Sequence, residues 1–357
     1  MPATDRTPRT AALGAAALAL GLTAALTGCS GGTADDPDVV TVYSADGLRL
    51  ESGDGFFDKV FADFEKETGI RVEYVEGGSG EVVQRLTRES ANTQADVLVT
   101  LPPFIQQAQG RGLLAPYEPE GSEKVPEDAK DPDGSWTAVV DNYLCFIYNT
   151  EQLDEPPKTW DDLLDPAYEG RLQYSTPGVA GDGTAVMLKA MHDFGGLEPA
   201  MEYLGELQAN NVGPSSSTGA LAPKVDKGEL LVANGDVQMN FANMEAMPSQ
   251  GIFFPAAEEG EAPSTLSLPY SAGAVQGAPH PENARKFLDY LLSEEVQEQV
   301  SEVGGGFPVR TDVEAEGANA ERLTEIMDGV EVFSPDWVEV DENFDSYVSA
   351  WEEATGS

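Results

Sequence analysis

The chain has 357 residues, 41% of them apolar, and its 20 basic against 63 acidic side chains give a net charge of −43. At roughly 100–200 residues per domain it can hold about two domains with sizeable cores. The sign of the charge excludes the basic face of a nucleic-acid binder and a polybasic membrane patch, and its even spread reads as a solvated surface.

Arg6 and Arg9 lead into the apolar run 11–26, AALGAAALALGLTAAL, which falls short of the roughly 20 residues of a bilayer crossing. The run ends in Leu26-Thr27-Gly28-Cys29, which resembles a bacterial lipobox. Small residues before a cysteine suit a signal-peptidase cleft, and the thiol accepts a diacylglyceryl group. Residues 1–28 are therefore expected to be a lipoprotein signal peptide, Cys29 the lipidated first mature residue, and 29–38 a polar, turn-rich tether. That would hold the mature protein on the extracellular face of the cell membrane. No later run is long and apolar enough for a transmembrane helix. The second cysteine, Cys145, stands in the apolar run 143–147 and is expected to be a buried free thiol.

Residues 39–44, VVTVYS, read as a strand ending at Ala45-Asp46-Gly47. Phe56, Phe57, Val60, Phe61 and Phe64 repeat as one buried helix face, with Asp54 as the expected cap and Gly69 as the stop. Residues 70–75 alternate as a strand, Gly77-Gly78-Ser79-Gly80 turns into a helix carrying Val82, Val83 and Leu86, and 96–100 is a third strand. Strand–helix–strand–helix–strand predicts right-handed crossovers and a parallel sheet. Residues 136–149 form one long strand-like run. A helix near 159–164, a strand at 171–175, helices near 183–193 and 198–210, and a strand at 236–241 follow. Residues 264–278 are strand-like again, and 281–303 read as one amphipathic helix with Phe287, Leu288 and Leu291 on its apolar side.

The segments TWDDLLDPAYEGRL at 159–172, HPENARKFL at 280–288 and FPVR at 307–310 resemble, in that order, extracellular solute receptors of ABC importers, in their iron and phosphonate branch. Within that branch VYSADGL at 42–48, GSGEVVQRL at 78–86 and ADVLVTL at 95–101 are most similar to 2-aminoethylphosphonate receptors. The resemblance spans roughly residues 39–313. It implies an α/β, two-lobed, periplasmic-binding-protein-like fold of type 2, each lobe a mixed, mainly parallel sheet flanked by helices, with the ligand cleft between them. Residues 39–140 would begin lobe one, 141–262 would form lobe two, and 263–357 would return to lobe one and add the C-terminal helices. Hinge crossings are expected near 138–148 and 264–275. The implied protein is no enzyme and carries no cofactor or metal. It would be a lipid-anchored monomer that passes a small zwitterionic phosphonate to permease subunits.

In an open α/β sheet, ligands sit beyond the carboxyl ends of strands. In lobe one that selects Ser44, Asp46, Gly78, Ser79, Gly80 and Thr100. The Gly-Gly-Ser-Gly turn also opens a helix, whose free N–H groups and positive dipole end favour an oxyanion. The same turn could serve as an ordinary cap. In lobe two Ser175, Thr176, Asp182, Gly183 and Thr184 lie between a strand and a helix in the same way. The run Ser215-Ser216-Ser217-Thr218 reads as a solvated loop. An aminophosphonate also carries an ammonium, which wants a carboxylate. Asp46 is the first choice, and Glu245, just past the expected strand end at Asn240, and Asp182 are the others. Tyr143, in a crossing strand, either touches ligand or packs.

Iron receptors of this branch present paired tyrosines where this chain has Asn240-Phe241-Ala242, which argues against Fe(III). A polyamine receptor would use mainly acids and aromatics. His192 and His280 stand alone, so a two-histidine metal site is not expected. A secreted hydrolase is the alternative of a different class, but the chain has no Gly-x-Ser-x-Gly elbow.

Overall fold

The apolar run at 39 is strand β1 (Val39–Ala45) in the computed structural model, which describes residues 37–50 and 52–357. The signal-peptide, Cys29 and tether expectations lie outside the described residues, apart from a turn at Pro37 and Asp38. β1 runs parallel to β2 (Arg71–Gly77) and β3 (Val97–Thr100). Between them, α1 (Phe56–Thr68) and α2 (Ser79–Glu89) make the expected crossovers. The five-residue Phe/Val stripe of α1 is buried, and Gly69 ends the helix in the left-handed region. Its N-cap is Gly55 rather than Asp54, because the Asp58 carboxylate reaches back to the Gly55 N–H at 3.1 Å. Phe64 is fully buried, where truncation to alanine costs about 3–5 kcal/mol.

The chain continues through α3 (Phe104–Gly110), β4 (Leu114–Ala115) and β5 (Thr137–Val140). The long run at 136–149 then breaks at residues 141–143. Beyond the break, β6 (Leu144–Asn149) starts lobe two, whose sheet has the order β7 (Leu172–Gln173), β8 (Val232–Asp236), β6, β9 (Gln250–Phe253). β6 is antiparallel to β8 and β9, while β7 is parallel to β8. Around this sheet lie α4 (Gly181–Asp193), α5 (Leu197–Leu207), α6 (Ala222–Asp226) and α7 (Val237–Ala242). Asp236 ends the strand instead of preceding one: its carboxylate accepts the Met239 N–H at 2.7 Å and so caps a helix over the expected strand 236–241. The segment at 159–164 is a 3₁₀ turn, Asp161–Leu164.

From β10 (Ser264–Leu266) the chain recrosses into β11 (Tyr270–Val275), which is antiparallel to β3, β4 and β5 and completes the first sheet. The two crossings lie side by side, with the Leu268 N–H donating to the Asn142 carbonyl at 2.8 Å. The expected helix 281–303 is α8 (Pro281–Leu291), α9 (Glu294–Gln297) and a π-helical turn, Val300–Gly304, since Ser293 caps a new helix start. Phe287 on α8 packs its ring on Phe64 with centroids 5.2 Å apart. α10 (Ala318–Ile326), β12 (Glu331–Phe333) and α11 (Trp337–Thr355) finish the chain. α11 touches both lobes: Phe344 packs on Phe104 of α3, and Trp351 Nε1 donates to the Tyr174 hydroxyl at 3.1 Å. Cys145 is buried and free. Asp96 is structural, accepting the Thr41 and His280 N–H groups at 2.7 and 2.6 Å. No helix among the described residues is long and apolar enough to cross a membrane.

Candidate functional site

The two lobes meet where α2 and α4 begin. Gly78, in extended backbone, caps α2, and the Glu81 carboxylate accepts its N–H at 3.1 Å. Across the cleft, the Thr176 carbonyl accepts the Val179 and Ala180 N–H groups and shapes the loop that feeds α4. The Gly80 N–H donates to the Val179 carbonyl at 3.0 Å, lobe to lobe. Glycine is needed at this seam. A Cβ on Gly78 would come 2.6 Å from the Ser216 carbonyl oxygen, and one on Gly181 would come 2.7 Å from Leu101 Cδ1 and 2.8 Å from Ser79 Oγ. The starts of both helices, and with them their positive ends, thus lie at the same seam, with the Gly80 N–H partnered by the Val179 carbonyl.

Carboxylates gather beside it. Asp46, just past β1, accepts the Ser217 hydroxyl at 2.5 Å and the Gly219 N–H at 3.2 Å, both from lobe two. Asp182, in the first turn of α4, is buried, and its Oδ1 has no hydrogen-bond donor. Asp236 is buried at the end of β8, with the Tyr270 hydroxyl 3.5 Å from its Oδ2. The same hydroxyl donates to the Asp46 carbonyl at 2.8 Å. Burial pushes all three carboxyls up. Asp182 rises well above its ordinary range, with Asp236 adding to burial. Asp236 reaches about 7 despite the Met239 N–H. Asp46 rises even though Ser217 and Gly219 donate to it. Glu76 is raised by burial and by Asp46. An opening of roughly 820 Å³ between the lobes is lined by Asp46, Glu76 and Gly78 on one side and by Ser217, Gly219 and Met239 on the other.

The structure brings together Asp46, Gly78, Ser79, Gly80 and Asp182 from the sequence reading, with Thr100 beneath them donating to the Ser79 carbonyl at 3.3 Å. Others stay inside their own lobe. The Ser44 hydroxyl is tied to the Ala45 carbonyl at 2.8 Å. The Ser175 hydroxyl pairs with Thr218, Thr176 Oγ1 accepts the Ser215 N–H, and Thr184 bridges the Ala180 carbonyl and the Gly178 N–H. Gly183 lies so close under the loop that a Cβ would meet the Ser175 carbonyl oxygen at 2.1 Å. Of the two roles open to Tyr143 the structure shows packing: its hydroxyl donates to Asp141 at 2.7 Å and its ring lies on Phe307. Two expectations are corrected. Asn240 is on a helix rather than at a strand end, and its amide donates to the Asp236 carbonyl at 2.8 Å. Glu245, past the end of α7, is exposed and lines a neighbouring depression with Glu302 and Arg322 rather than the opening that Asp46 lines.

Sequence reasoning missed Ser217, Gly219, Asp236, Gln238 and Tyr270. The serine run looked like a solvated loop, yet it closes on Asp46. Asp236 follows Asn234-Gly235 at the end of an apolar run, a strand-end signal that was available. Among the described residues, no three His, Cys, Asp or Glu side chains are grouped to hold a metal ion.

The family model described as bacterial extracellular solute-binding protein matches residues 50–298. A Salmonella paratyphi A protein named "Putative 2-aminoethylphosphonate-binding periplasmic protein" is 49% identical over 319 residues, 89% of this chain and 93% of its own. Iron uptake protein A1 of Synechocystis is 29% identical over 268 residues, 70% of this chain and 72% of its own. The solved structure of the periplasmic binding protein P5PA has a TM-score of 0.75 at 23% identity, covering 89% of this chain and 99% of that one. AfuA from Actinobacillus pleuropneumoniae, bound to fructose-6-phosphate, has a TM-score of 0.74 at 23% identity with the same coverage. These two structures share the type 2 two-lobed fold with this chain. On its family match and on a relative 49% identical along 89% of its length, the chain belongs to the bacterial extracellular solute-binding proteins and is the solute-binding component of an ABC importer, not an enzyme.

Proposed function

We propose that the protein captures 2-aminoethylphosphonate, or a similarly small zwitterionic phosphonate, between its lobes and presents it to the permease, held at the extracellular face of the cell membrane by a lipid on Cys29. The observation behind this reading is the meeting of the N-terminal ends of α2 and α4 beside buried carboxylates. Helix starts with small residues suit an uncharged-donor cradle for phosphonate oxygens, and carboxylates suit the amine. The name borne by the Salmonella relative supports the same ligand. A net charge of −43 also disfavours capture of a bare dianion at long range. Isothermal titration with 2-aminoethylphosphonate, phosphate, ferric citrate, putrescine and spermidine tests the proposal. One 2-aminoethylphosphonate per chain, bound tightest of the five, is expected, and phosphate binding as tightly overturns it. A polyamine is the second reading, favoured by Asp46, Glu76, Asp182 and Asp236 lying where Arg49 is already engaged by Asp58. Tightest binding of putrescine or spermidine would carry that reading instead.

A further inference from the structure

We propose that the ligand's primary amine is seated on lobe two by Asp182, with Asp236 beside it, and that Asp46 of lobe one is the latch that closes over it. This rests on the reading of the solute as a zwitterionic amine.

The three carboxylates differ in what they already hold. Asp46 Oδ2 takes two donors from the opposite lobe, the Ser217 hydroxyl and the Gly219 N–H. Both of these bonds fall on Oδ2 and join the lobes. Asp182 is 3% exposed; the Thr218 hydroxyl serves its carboxylate, but Oδ1 is sealed from solvent with no donor. A carboxylate oxygen left without a donor in a dry site is costly, and a cation bearing N–H groups relieves it. Asp236 adds a second acceptor: Met239 occupies Oδ1, Oδ2 has the Tyr270 hydroxyl at the long distance of 3.5 Å, and the Asn142 side chain also donates to the carboxylate. Gln238 Oε1 is a third buried acceptor without a donor. A Cβ placed on Gly47 would meet it at 3.3 Å and the Tyr270 oxygen at 2.5 Å, which puts it near Tyr270 where the lobes meet. A primary ammonium has three N–H donors to offer such a set, whereas a quaternary one has none. Burial and the neighbouring Asp236 push the Asp182 carboxyl up. An incoming positive charge would reverse that repulsion.

The test is titration of wild type, Asp182→Asn and Asp46→Asn with 2-aminoethylphosphonate, ethylphosphonate and the N-trimethylated aminoethylphosphonate. Wild type should prefer the primary amine over both other compounds by roughly ten- to hundredfold, as loss of a charge-assisted hydrogen bond implies. Asp182→Asn should bind 2-aminoethylphosphonate and ethylphosphonate nearly equally. Asp46→Asn should weaken both by a similar factor and keep the preference. Retention of the full preference in Asp182→Asn, or its loss in Asp46→Asn alone, overturns the seat. If Asp182→Asn does not fold, the wild-type series and Asp236→Asn decide. Equal wild-type binding of the trimethylated compound, or an undiminished preference in Asp236→Asn, refutes the proposal. A wild type that binds no phosphonate refutes the proposed function itself, which is a different result.

Discussion

Gly181 of lobe two lies against Leu101 of lobe one so closely that a Cβ would come within 2.7 Å of Leu101 Cδ1. Nothing but hydrogen fits there while the lobes are together. Gly181→Ala should therefore act as a wedge between the lobes and leave each lobe's own core alone. Overpacking of this kind costs about 1–3 kcal/mol, so ligand affinity should fall roughly ten- to hundredfold. Small-angle scattering should show the wild-type radius of gyration shrinking on ligand addition and the variant's shrinking less. Equal compaction with equal affinity would mean that the seam does not tighten on binding.

Asp236 carries a dependence on pH whose sign is fixed by its burial. Its carboxyl is raised from 3.8 to about 7, so the folded state holds the proton more tightly than the unfolded chain. The stabilisation is complete below the unfolded value and is lost as pH rises through about 7. Melting of the ligand-free protein should therefore drop between pH 5 and pH 8. Asp236→Asn, which keeps an oxygen for the Met239 N–H, should drop less. The net charge of −43 adds a slope of the same sign to both proteins, so the difference between the two curves is the measurement. Parallel curves would remove Asp236 from the account.

The fold was legible where periodicity and punctuation agreed. The Phe56-to-Phe64 stripe, the left-handed stop at Gly69 and the turn at Gly78 gave α1 and the start of α2 correctly, because local spacing there coincides with tertiary burial. Around Asp236 the two parted. Val237, Met239 and Phe241 alternate like a strand, yet a single carboxylate caps a helix through the Met239 N–H. Local hydrogen bonding can outweigh an alternating pattern over so few residues. Half the site was visible as strand-end loops, among them Asp46 and Ser79. The rest was not, because Ser217 and Tyr270 lie 171 and 224 positions from Asp46 and meet it only through the paired crossings. Spacing along the chain holds no record of such contacts.

Lipid anchoring is testable from the sequence reading alone. Cys29→Ser removes the thiol that would accept the diacylglyceryl group, so fractionated cells should contain unprocessed precursor or protein released from membranes. Normal, membrane-bound mature Cys29→Ser protein would show that the anchor lies elsewhere.

A buried charge pair, Lys189 with Asp193, supports the stability of lobe two independently of the cleft. Lys189 of α4 is 1% exposed and donates to Asp193, to the Pro255 carbonyl at 3.1 Å and to Ser264 Oγ at 2.7 Å, with its ammonium 5.2 Å from the Trp160 ring centre. Asp193 also accepts the Trp160 Nε1–H at 2.6 Å. Burial pushes the Asp193 carboxyl up, but Lys189, His192 and Trp160 together outweigh it and hold the carboxyl below its usual range. Lys189→Met keeps the bulk and removes the charge, leaving the buried Asp193 with Trp160, Ser264 and the His192 ring but without its ammonium. Removing one partner of a buried pair costs about 3–5 kcal/mol. At roughly 2–4 °C per kcal/mol for a chain of this order, melting should fall by about 10 °C. The loss should deepen as pH rises, since the unpaired carboxyl must then ionise without a counter-charge. Lys189→Met with Asp193→Leu should recover much of the difference, because an apolar pair of similar volume has no desolvation to offset. Ligand affinity should hardly move in either variant, as Lys189 lies two turns along α4 from Asp182. An unchanged melting temperature in the single variant would mean that the pair contributes nothing to lobe two.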